Sequence, residues 1–344
     1  MKNELAMKWK LAVLLAVFVV VSVFAQNPSG CFPAEKLPEY ITPLTDCGQR
    51  SEFSHDGKTV YFVDEAGGEI CKVDVATKVI TQISKKEFLP EGHGYYRVYV
   101  LANGDLLFTC GPSRHNLYMQ ILQKGKTMPI KLNEQVDEGP AISRTDMKIV
   151  WTPDQKVIYS GVLDIAKNKA SIKHKNLIID NANVVVDGIK YDGILEPQNF
   201  RQPAEEEFTW TQYGKNSEGR FTSEVMGYNL KNGEITNYSK SPEMYSEPEG
   251  IFPDGDYTLM ECDGHSLMGM KSIDLYKLKL DGTGKNYQRL TFFNDVKGYK
   301  ASNPVVSDDG RWIAFQAANA KAAAGVGCGI YLFDVEKWEK SNKK

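Results

Sequence analysis

The chain has 344 residues, a formal net charge of −3 at pH 7 and 42% hydrophobic residues. Such a mild negative charge gives no electrostatic reason to expect binding to nucleic acid or to an anionic membrane surface. The length suits one large domain, because all-β folds often reach this size without dividing.

The N-terminus has the pattern of a secretory signal. Lys2, Lys8 and Lys10 precede an uncharged, mainly apolar run over residues 11–25, which is short for a membrane span. We therefore predict a cleaved signal peptide over residues 1–25, with an uncleaved anchor as the alternative. Cleavage removes three Lys and one Glu and moves the formal charge from −3 to −5. The product is expected to be periplasmic or extracellular, monomeric and without a membrane span.

A short leader over residues 26–38 contains the first of six cysteines. An even number of cysteines in an exported chain permits up to three disulfides. Cys31 and Cys47 are the closest pair in sequence, and their bond would tether the leader to the first repeat. The alternative is that several of the cysteines are small buried thiols. The six are Cys31, Cys47, Cys71, Cys110, Cys262 and Cys328.

Residues 39–344 contain six similar segments, each with a polar turn between two β-rich runs. Alternating apolar residues after each turn indicate strands packed on one face or both. A repeat of this length with several short strands is typical of propeller blades, since one small sheet cannot bury its faces alone. The predicted first turns lie at residues 55–57, 103–105, 145–146, 204–206, 253–255 and 308–310.

The third and sixth repeats depart from the pattern. In the third we place the second, third and fourth strands at residues 149–152, 170–174 and 177–180. The sixth lacks a fourth strand, because the chain ends soon after residue 335. Residues 39–44, upstream of the first repeat, look like the fourth strands of the other repeats. We predict an all-β, six-bladed propeller in which this N-terminal strand pairs beside residues 330–335, which removes the open sheet edge.

Three repeats carry recognisable strings: FSHDGKTVYFV from residue 53, IFPDGDYTLMECD from residue 251 and VVSDDGRWIAFQ from residue 305. They resemble the TolB-type propeller repeat, which occurs in both binding proteins and enzymes and so implies a fold without an activity. A weaker resemblance is to the oligogalacturonate lyases. That resemblance implies a divalent metal held by several His and a Gln, with a further His and an Arg in the chemistry.

In a propeller, the segments that enter the first strands and the loops after the second strands share one face around the channel. Carboxylates, His, Arg and Tyr residues collect at these positions. We predict that this face binds a polar ligand through His93, Arg97, Glu138, Glu196, Gln198, Glu249 and His265.

Two interpretations of the charged residues stay open. Converging carboxylates repel one another unless a cation or bound protons compensate, and oxygen ligands suit Ca²⁺ or Mg²⁺. Alternatively, the carboxylates pair with Arg97 and Arg201 or cap backbone N–H groups. His93, His115 and His265 with Gln198 could also form a transition-metal site.

No catalytic residues are assigned, because the chain has no Gly-x-Ser-x-Gly elbow and no motif that activates a hydroxyl. The sequence therefore favours an exported module that binds a protein or glycan partner at the loop face. The alternative is a glycan-active enzyme resembling a metal-dependent oligogalacturonate lyase.

Overall fold

The computed structural model describes residues 30–191 and 193–343, so the predicted signal peptide lies outside the described residues. Six four-stranded antiparallel sheets surround a central channel within this part of the chain. Strand β1 comes first, and the first blade follows. These strands are β1 (Ile41–Pro43), β2 (Gln49–Phe53), β3 (Thr59–Val63), β4 (Ile70–Asp74) and β5 (Ile80–Gln82).

Blades two and three occupy the next stretch of the chain. Blade two consists of β6 (Gly94–Val100), β7 (Leu106–Ser113), β8 (Asn116–Leu122) and β9 (Ile130–Val136). Blade three consists of β10 (Ala141–Ile142), β11 (Lys148–Trp151), β12 (Val157–Ala166) and β13 (Lys169–Asp180). A separate hairpin, β14 (Val185–Val186) and β15 (Ile189–Lys190), precedes blade four.

The remaining blades follow in the same order. Blade four consists of β16 (Leu195–Phe200), β17 (Glu207–Lys215), β18 (Phe221–Asn229) and β19 (Ile235–Asn237). Blade five consists of β20 (Ser246–Ile251), β21 (Tyr257–Cys262), β22 (Asp274–Lys279) and β23 (Tyr287–Arg289). Blade six contains β24 (Tyr299–Val306), β25 (Trp312–Asn319) and β26 (Ile330–Asp334), and helix α1 (Val335–Asn342) follows it.

The N-terminal strand closes the ring, as predicted. Strand β1 is the outermost strand of the sheet formed by β24, β25 and β26, and Ile41 pairs with Phe333. Ile41 is buried in a core cluster that joins blades five and six. Because the first and last parts of the chain share one sheet, blade six has no missing strand.

The strands predicted for blade three are wrong in part. Residues 170–174 and 177–180 belong to one strand, β13, whereas the third strand is β12. His174 has a φ of +52°, and the pairing of β12 with β13 shifts register beside it. This irregularity interrupts the alternation, so one long strand has the sequence pattern of two short ones.

Cys31 does not bond to Cys47, its closest cysteine in sequence, but to Cys328. The leader lies across blade six: Phe32 donates its N–H to the Tyr331 hydroxyl at 2.9 Å and stacks on Phe293. Among the described residues the other four cysteines are free, three of them buried. The alternative of small buried thiols therefore holds for these three.

Across residues 30–191 and 193–343, no helix is both long and apolar enough to span a membrane. The Lys- and Glu-rich tail after blade six forms α1, whose first turn is capped by the Asp334 carboxylate. Trp338 of this helix is buried against Phe333. The tail therefore packs on the blade that β1 completes.

Candidate functional site

The innermost strands of the six blades enclose a cavity of about 210 Å³ in the channel. It is lined by five of the seven residues predicted from the sequence and by two further arginines. These residues are Arg50, Arg97, Glu138, Arg144, Glu196, Gln198 and Glu249.

A repeated irregularity in the innermost strands directs side chains toward this cavity. In five blades, the pairing between the first and second strands shifts register at the same level of the channel. The extra residue of a bulge re-aims its side chain and increases the local twist. The residues at these shifts include Arg50, Tyr96, Gln198, Glu249 and Asn303.

Blade three supplies Glu138 by a different route. Glu138 lies just before β10 and has a φ of +59°, a conformation that L-residues rarely adopt. Its amide donates a hydrogen bond to the Arg114 carbonyl at 3.4 Å. This backbone turn brings the carboxylate to the level of the bulges in the other blades.

Positive charge surrounds Glu138. The Arg50 guanidinium lies 3.6 Å from one of its carboxylate oxygens, and Arg114 forms an ion pair with the other. The Tyr96 hydroxyl donates a hydrogen bond to the same carboxylate, and Arg50 stacks over the Tyr96 ring at 3.7 Å. Burial would raise the pKa of Glu138, but Arg50, Arg114 and Arg97 together lower it. Glu138 is therefore a carboxylate anion.

Arg97 and Glu249 form a two-pronged ion pair across the channel. The two guanidinium Nη atoms donate to the two carboxylate oxygens at 3.3 and 3.4 Å. Glu249 is 5% exposed, so its charge has little access to water. The interpretation that carboxylates pair with Arg97 is correct for this residue, and Arg201 pairs with Glu207 at 3.3 Å.

Blades four and five bring excess carboxyl groups into the channel. Glu196 and Glu247 both accept hydrogen bonds from the Tyr213 hydroxyl, at 3.1 and 2.6 Å. Burial, and then the charge of Glu138, raises the pKa of Glu196 to about 8. Burial also raises the pKa of Glu247 well above its usual value, and Glu261 and Glu249 raise it further. The raised pKa values favour the protonated forms of both groups, which relieves the repulsion that the sequence predicts.

A divalent cation does not fit the one group of acids that lies close together. Asp137, Glu138 and Glu196 have ligand atoms within 4.8 Å of one another. However, Glu138 already contacts Arg50 and Arg114, whose charges would repel a metal ion. Among the described residues, this is the only such group of three.

The histidines do not assemble into a metal site within the described residues. His93 and His265, which we predicted as ligand-binding residues, do not line the channel cavity. His265 contacts the Tyr276 hydroxyl at 3.1 Å and the Asn294 amide oxygen at 3.0 Å. His115 contacts the Asp137 carboxylate at 3.0 Å. The arrangement implied by the resemblance to the lyases is therefore not present in these residues.

Arg144 crosses the channel at the end opposite the predicted ligand face. It follows β10 of blade three, and its guanidinium donates to Glu52 of blade one at 2.8 Å. It also donates through Nε to Asp308 of blade six at 2.9 Å. Blades three and six stand on opposite sides of the ring of six blades. The Arg144 side chain therefore obstructs the end of the channel opposite the predicted ligand face, which we call the lower end.

His55 adds a titratable group to this lower cluster. Its Nδ1 lies 2.7 Å from the Asp308 carboxylate, and this hydrogen bond raises the pKa of His55. The stabilisation is therefore complete below the unfolded-state pKa near 6.5 and is lost as the pH rises through the folded-state pKa. We expect the melting-temperature advantage of the wild type over His55→Asn to shrink from pH 5.5 to pH 9. His174→Asn, on the outer strand β13, is the control and should show a smaller pH-dependent difference.

Apolar side chains are exposed near the other end of the channel. Phe221 is 38% exposed and stacks on Tyr213 at 5.2 Å between ring centroids. Leu267 and Met268 are 42% and 73% exposed in the loop between β21 and β22. This rim lies beside the excess carboxyl groups, since Tyr213 also donates to Glu196.

A second cavity of about 350 Å³ lies between the β14–β15 hairpin and blade four. Tyr191 and Pro242 contribute apolar surface, and Lys190 and Lys240 contribute charge. Tyr213 lines this cavity too, so it stands between the two cavities of this face.

Several site residues were absent from the predicted set. Arg50 and Glu247 lie near the start of first strands, and Tyr213 lies near the end of a second strand, so position could have identified them. Glu261 lies in the second strand β21, and Arg144 lies directly before the predicted first turn at residues 145–146. Only the ring geometry brings these two residues to the channel.

No protein-family model matches the chain, and no curated protein matches it. Among solved structures, the chain is similar to the gluconolactonase XC5397 from Xanthomonas campestris, with 12% identity and a TM-score of 0.51. That match covers 86% of this chain and 89% of the other.

Two further matches carry the names of the families that the repeats resemble. TolB from Acinetobacter baumannii matches at 10% identity and a TM-score of 0.49, over 84% of this chain and 63% of that chain. An oligogalacturonate lyase in complex with manganese matches at 14% identity and a TM-score of 0.47, over 87% and 94%. Identities this low bear on the fold alone. The six four-stranded sheets and the match to XC5397 identify the fold as a six-bladed β-propeller.

Proposed function

We propose that the protein is an exported binding module that takes one residue of a glycan into the channel. The observation that carries this proposal is a set of buried polar atoms without partners among the described residues. Nε of Arg50, Nε of Arg97 and Oδ1 of Asn199 make no hydrogen bond, and all three residues line the cavity. Buried polar groups in native proteins are normally satisfied, so these atoms call for a ligand or ordered water.

The chemistry of the unpaired atoms favours hydroxyl groups. The two Nε–H groups are donors, whereas the Asn199 oxygen is an acceptor. A sugar hydroxyl both donates and accepts, so one ring can satisfy both kinds of atom. The cavity of about 210 Å³ is smaller than the roughly 300–1,000 Å³ of pockets for drug-sized ligands, which suits a single ring.

The apolar rim supports the same function. Phe221, Leu267 and Met268 offer apolar surface beside the channel, and aromatic faces commonly pack against the apolar faces of sugar rings. Further residues of a glycan would lie on this rim while the terminal residue enters the channel. Export is supported by the Cys31–Cys328 disulfide, which is typical of oxidising compartments.

The test is a glycan microarray probed with residues 26–344, followed by affinity measurements on the best glycan. Gln198 lines the cavity, and Thr211 is its one hydrogen-bond partner closer than 3.5 Å. Gln198→Ala should therefore remove a contact to the ligand with little loss of stability. We expect affinity to fall about tenfold, which corresponds to one hydrogen bond of about 1.4 kcal/mol.

The matched control is Gln288→Ala, since Gln288 is exposed on the outermost strand β23. It should bind like the wild type, and both variants should keep the wild-type melting temperature. Equal affinity of Gln198→Ala and the wild type would place the glycan elsewhere. Failure of every glycan to bind would reject the proposed function.

A further inference from the structure

We propose that Glu138 and Glu196 form an acid–base pair that cleaves the glycosidic bond of a sugar held in the channel. This inference rests on the proposed glycan binding and adds an activity to it. Glu196 would donate a proton to the glycosidic oxygen, and Glu138 would attack the anomeric carbon. The substrate class is a glycan whose terminal ring fits the cavity.

The geometry places both groups at one point. Carboxyl oxygens of Glu138 and Glu196 lie within 4.8 Å of each other, and both residues line the cavity. Each is 5% exposed, so bulk water has little access to either. Glycosidases that retain anomeric configuration hold their two carboxyl groups about 5–5.5 Å apart, whereas inverting ones need roughly 6.5–9.5 Å. The separation therefore favours retention.

An independent feature directs a ligand to the same point. Arg50 is 4% exposed, contacts Glu138 at 3.6 Å and lines the cavity. Its Nε atom has no partner among the residues that the structure describes. A buried donor beside the carboxylate pair calls for an acceptor in the cavity, which a ring hydroxyl supplies. The pair is thus accompanied by an unsatisfied binding group.

The pKa values of the two carboxyl groups are shifted in the opposite directions that the reaction needs. Arg50, Arg114 and Arg97 outweigh burial and lower the pKa of Glu138, so it is ionised. Burial and the charge of Glu138 raise the pKa of Glu196 to about 8, so it keeps its proton at neutral pH. Paired acids with pKa values pushed apart are the usual arrangement of a general acid and its partner.

The groups around Glu196 hold it in position. Tyr213 donates to one carboxyl oxygen at 3.1 Å, and the Gln155 side-chain amide donates to the other. The remaining charged or titratable groups that act on it are Glu138, Arg97 and Arg114, while Glu196 in turn raises the pKa of Glu247 and Tyr213. None of these residues is a ligand of a metal site that we propose.

The first step forms a covalent intermediate. A Glu138 oxygen bonds to the anomeric carbon while the bond from that carbon to the glycosidic oxygen breaks. The electron pair of the broken bond goes to the glycosidic oxygen, which takes the proton of Glu196. The rest of the glycan leaves as an alcohol. Glu196 is now a carboxylate, and Glu138 is an ester of the sugar.

Water completes the cycle. Its oxygen bonds to the anomeric carbon, and its proton passes to the Glu196 carboxylate. The bond from the anomeric carbon to Glu138 breaks with its electron pair on the Glu138 oxygen. One water molecule is consumed, both carboxyl groups regain their starting forms, and no oxidant or metal is required.

The test uses 4-nitrophenyl and 2,4-dinitrophenyl glycosides, in both anomeric forms, of the terminal sugar identified on the microarray. The wild type should release the phenol, and its kcat/KM should fall as the pH rises above about 8. Glu196→Gln should lose about 10²–10⁴-fold on the 4-nitrophenyl glycoside. It should lose far less on the 2,4-dinitrophenyl glycoside, whose leaving group needs no proton.

Glu138→Ala should be inactive on both substrates, and added azide should restore turnover by forming a glycosyl azide. Glu234→Gln is the matched control, because Glu234 is exposed in the turn between β18 and β19 and does not line the cavity. It should keep activity within a few-fold of the wild type. Melting temperatures show whether each variant is folded.

Glycan binding with no phenol release by the wild type overturns the acid–base pair and leaves the binding function standing. Equal losses of Glu196→Gln on the two leaving groups, without azide rescue of Glu138→Ala, also overturn it. Absence of glycan binding rejects the proposed function itself. The two failures are therefore distinguishable.

Discussion

Ile41→Ala should destabilise the whole ring, whereas Thr42→Ala on the same strand should not. Ile41 is 3% exposed and packs in the cluster shared by blades five and six. Removing a buried Ile side chain costs about 2–5 kcal/mol, while exposed substitutions usually change stability by less than about 0.5 kcal/mol. The expected result is a lower denaturant midpoint for Ile41→Ala with one cooperative transition.

The comparison tests closure because both residues lie in β1, which pairs with β26. If β1 only paired with the edge of blade six without closing the ring, weakening it would leave the stability of the other blades unchanged. A small effect of Ile41→Ala, or a separate early transition, would show that the ring is stable without its N-terminal strand. Deleting residues 26–45 should enlarge the effect, because it exposes the edge of β26.

The closure could be predicted from sequence because it depends on local patterns. Asp-Gly turns mark the hairpins, and the sixth repeat lacks a fourth strand that residues 39–44 resemble. Blade three was harder, because the hairpin between β12 and β13 turns at Asn168, with a φ of +64°, and contains no Gly or Pro. Pairing of Cys31 with Cys328 could not be predicted, since it depends on where the leader packs.

The sequence predicts which face of the propeller the site residues share, but not which of them form ion pairs with one another. Propeller topology places Arg97, Glu138, Glu196, Gln198 and Glu249 on one face, and the structure brings these five together. Which carboxylate pairs with which cation depends on bulges and on the left-handed backbone at Glu138, and neither has a clear sequence signal. The predicted His93 and His265 lie in loops whose paths the repeat does not determine.

Glu249→Ala should be among the most destabilising substitutions in the channel. It leaves the Arg97 guanidinium, whose side chain is 16% exposed, without its partner at 3.3 Å. Removing one partner of a buried ion pair typically costs about 3–5 kcal/mol. Glu249→Ala is therefore unsuitable as a simple binding mutant, and its effect should be measured by urea unfolding.

The arrangement of the neighbouring acids makes this cost depend on pH. Burial, and then the charge of Glu249, raises the pKa of Glu261 to about 7. Once Glu249 is absent, Glu261 can ionise at lower pH and compensate part of the Arg97 charge. We expect Glu249→Ala to cost less at pH 8 than at pH 5.5. The double variant Arg97→Met with Glu249→Met should recover much of the loss, since no unpaired charge stays buried. A cost for Glu249→Ala below about 1 kcal/mol at both pH values would mean that Arg97 reaches water or another acid without Glu249.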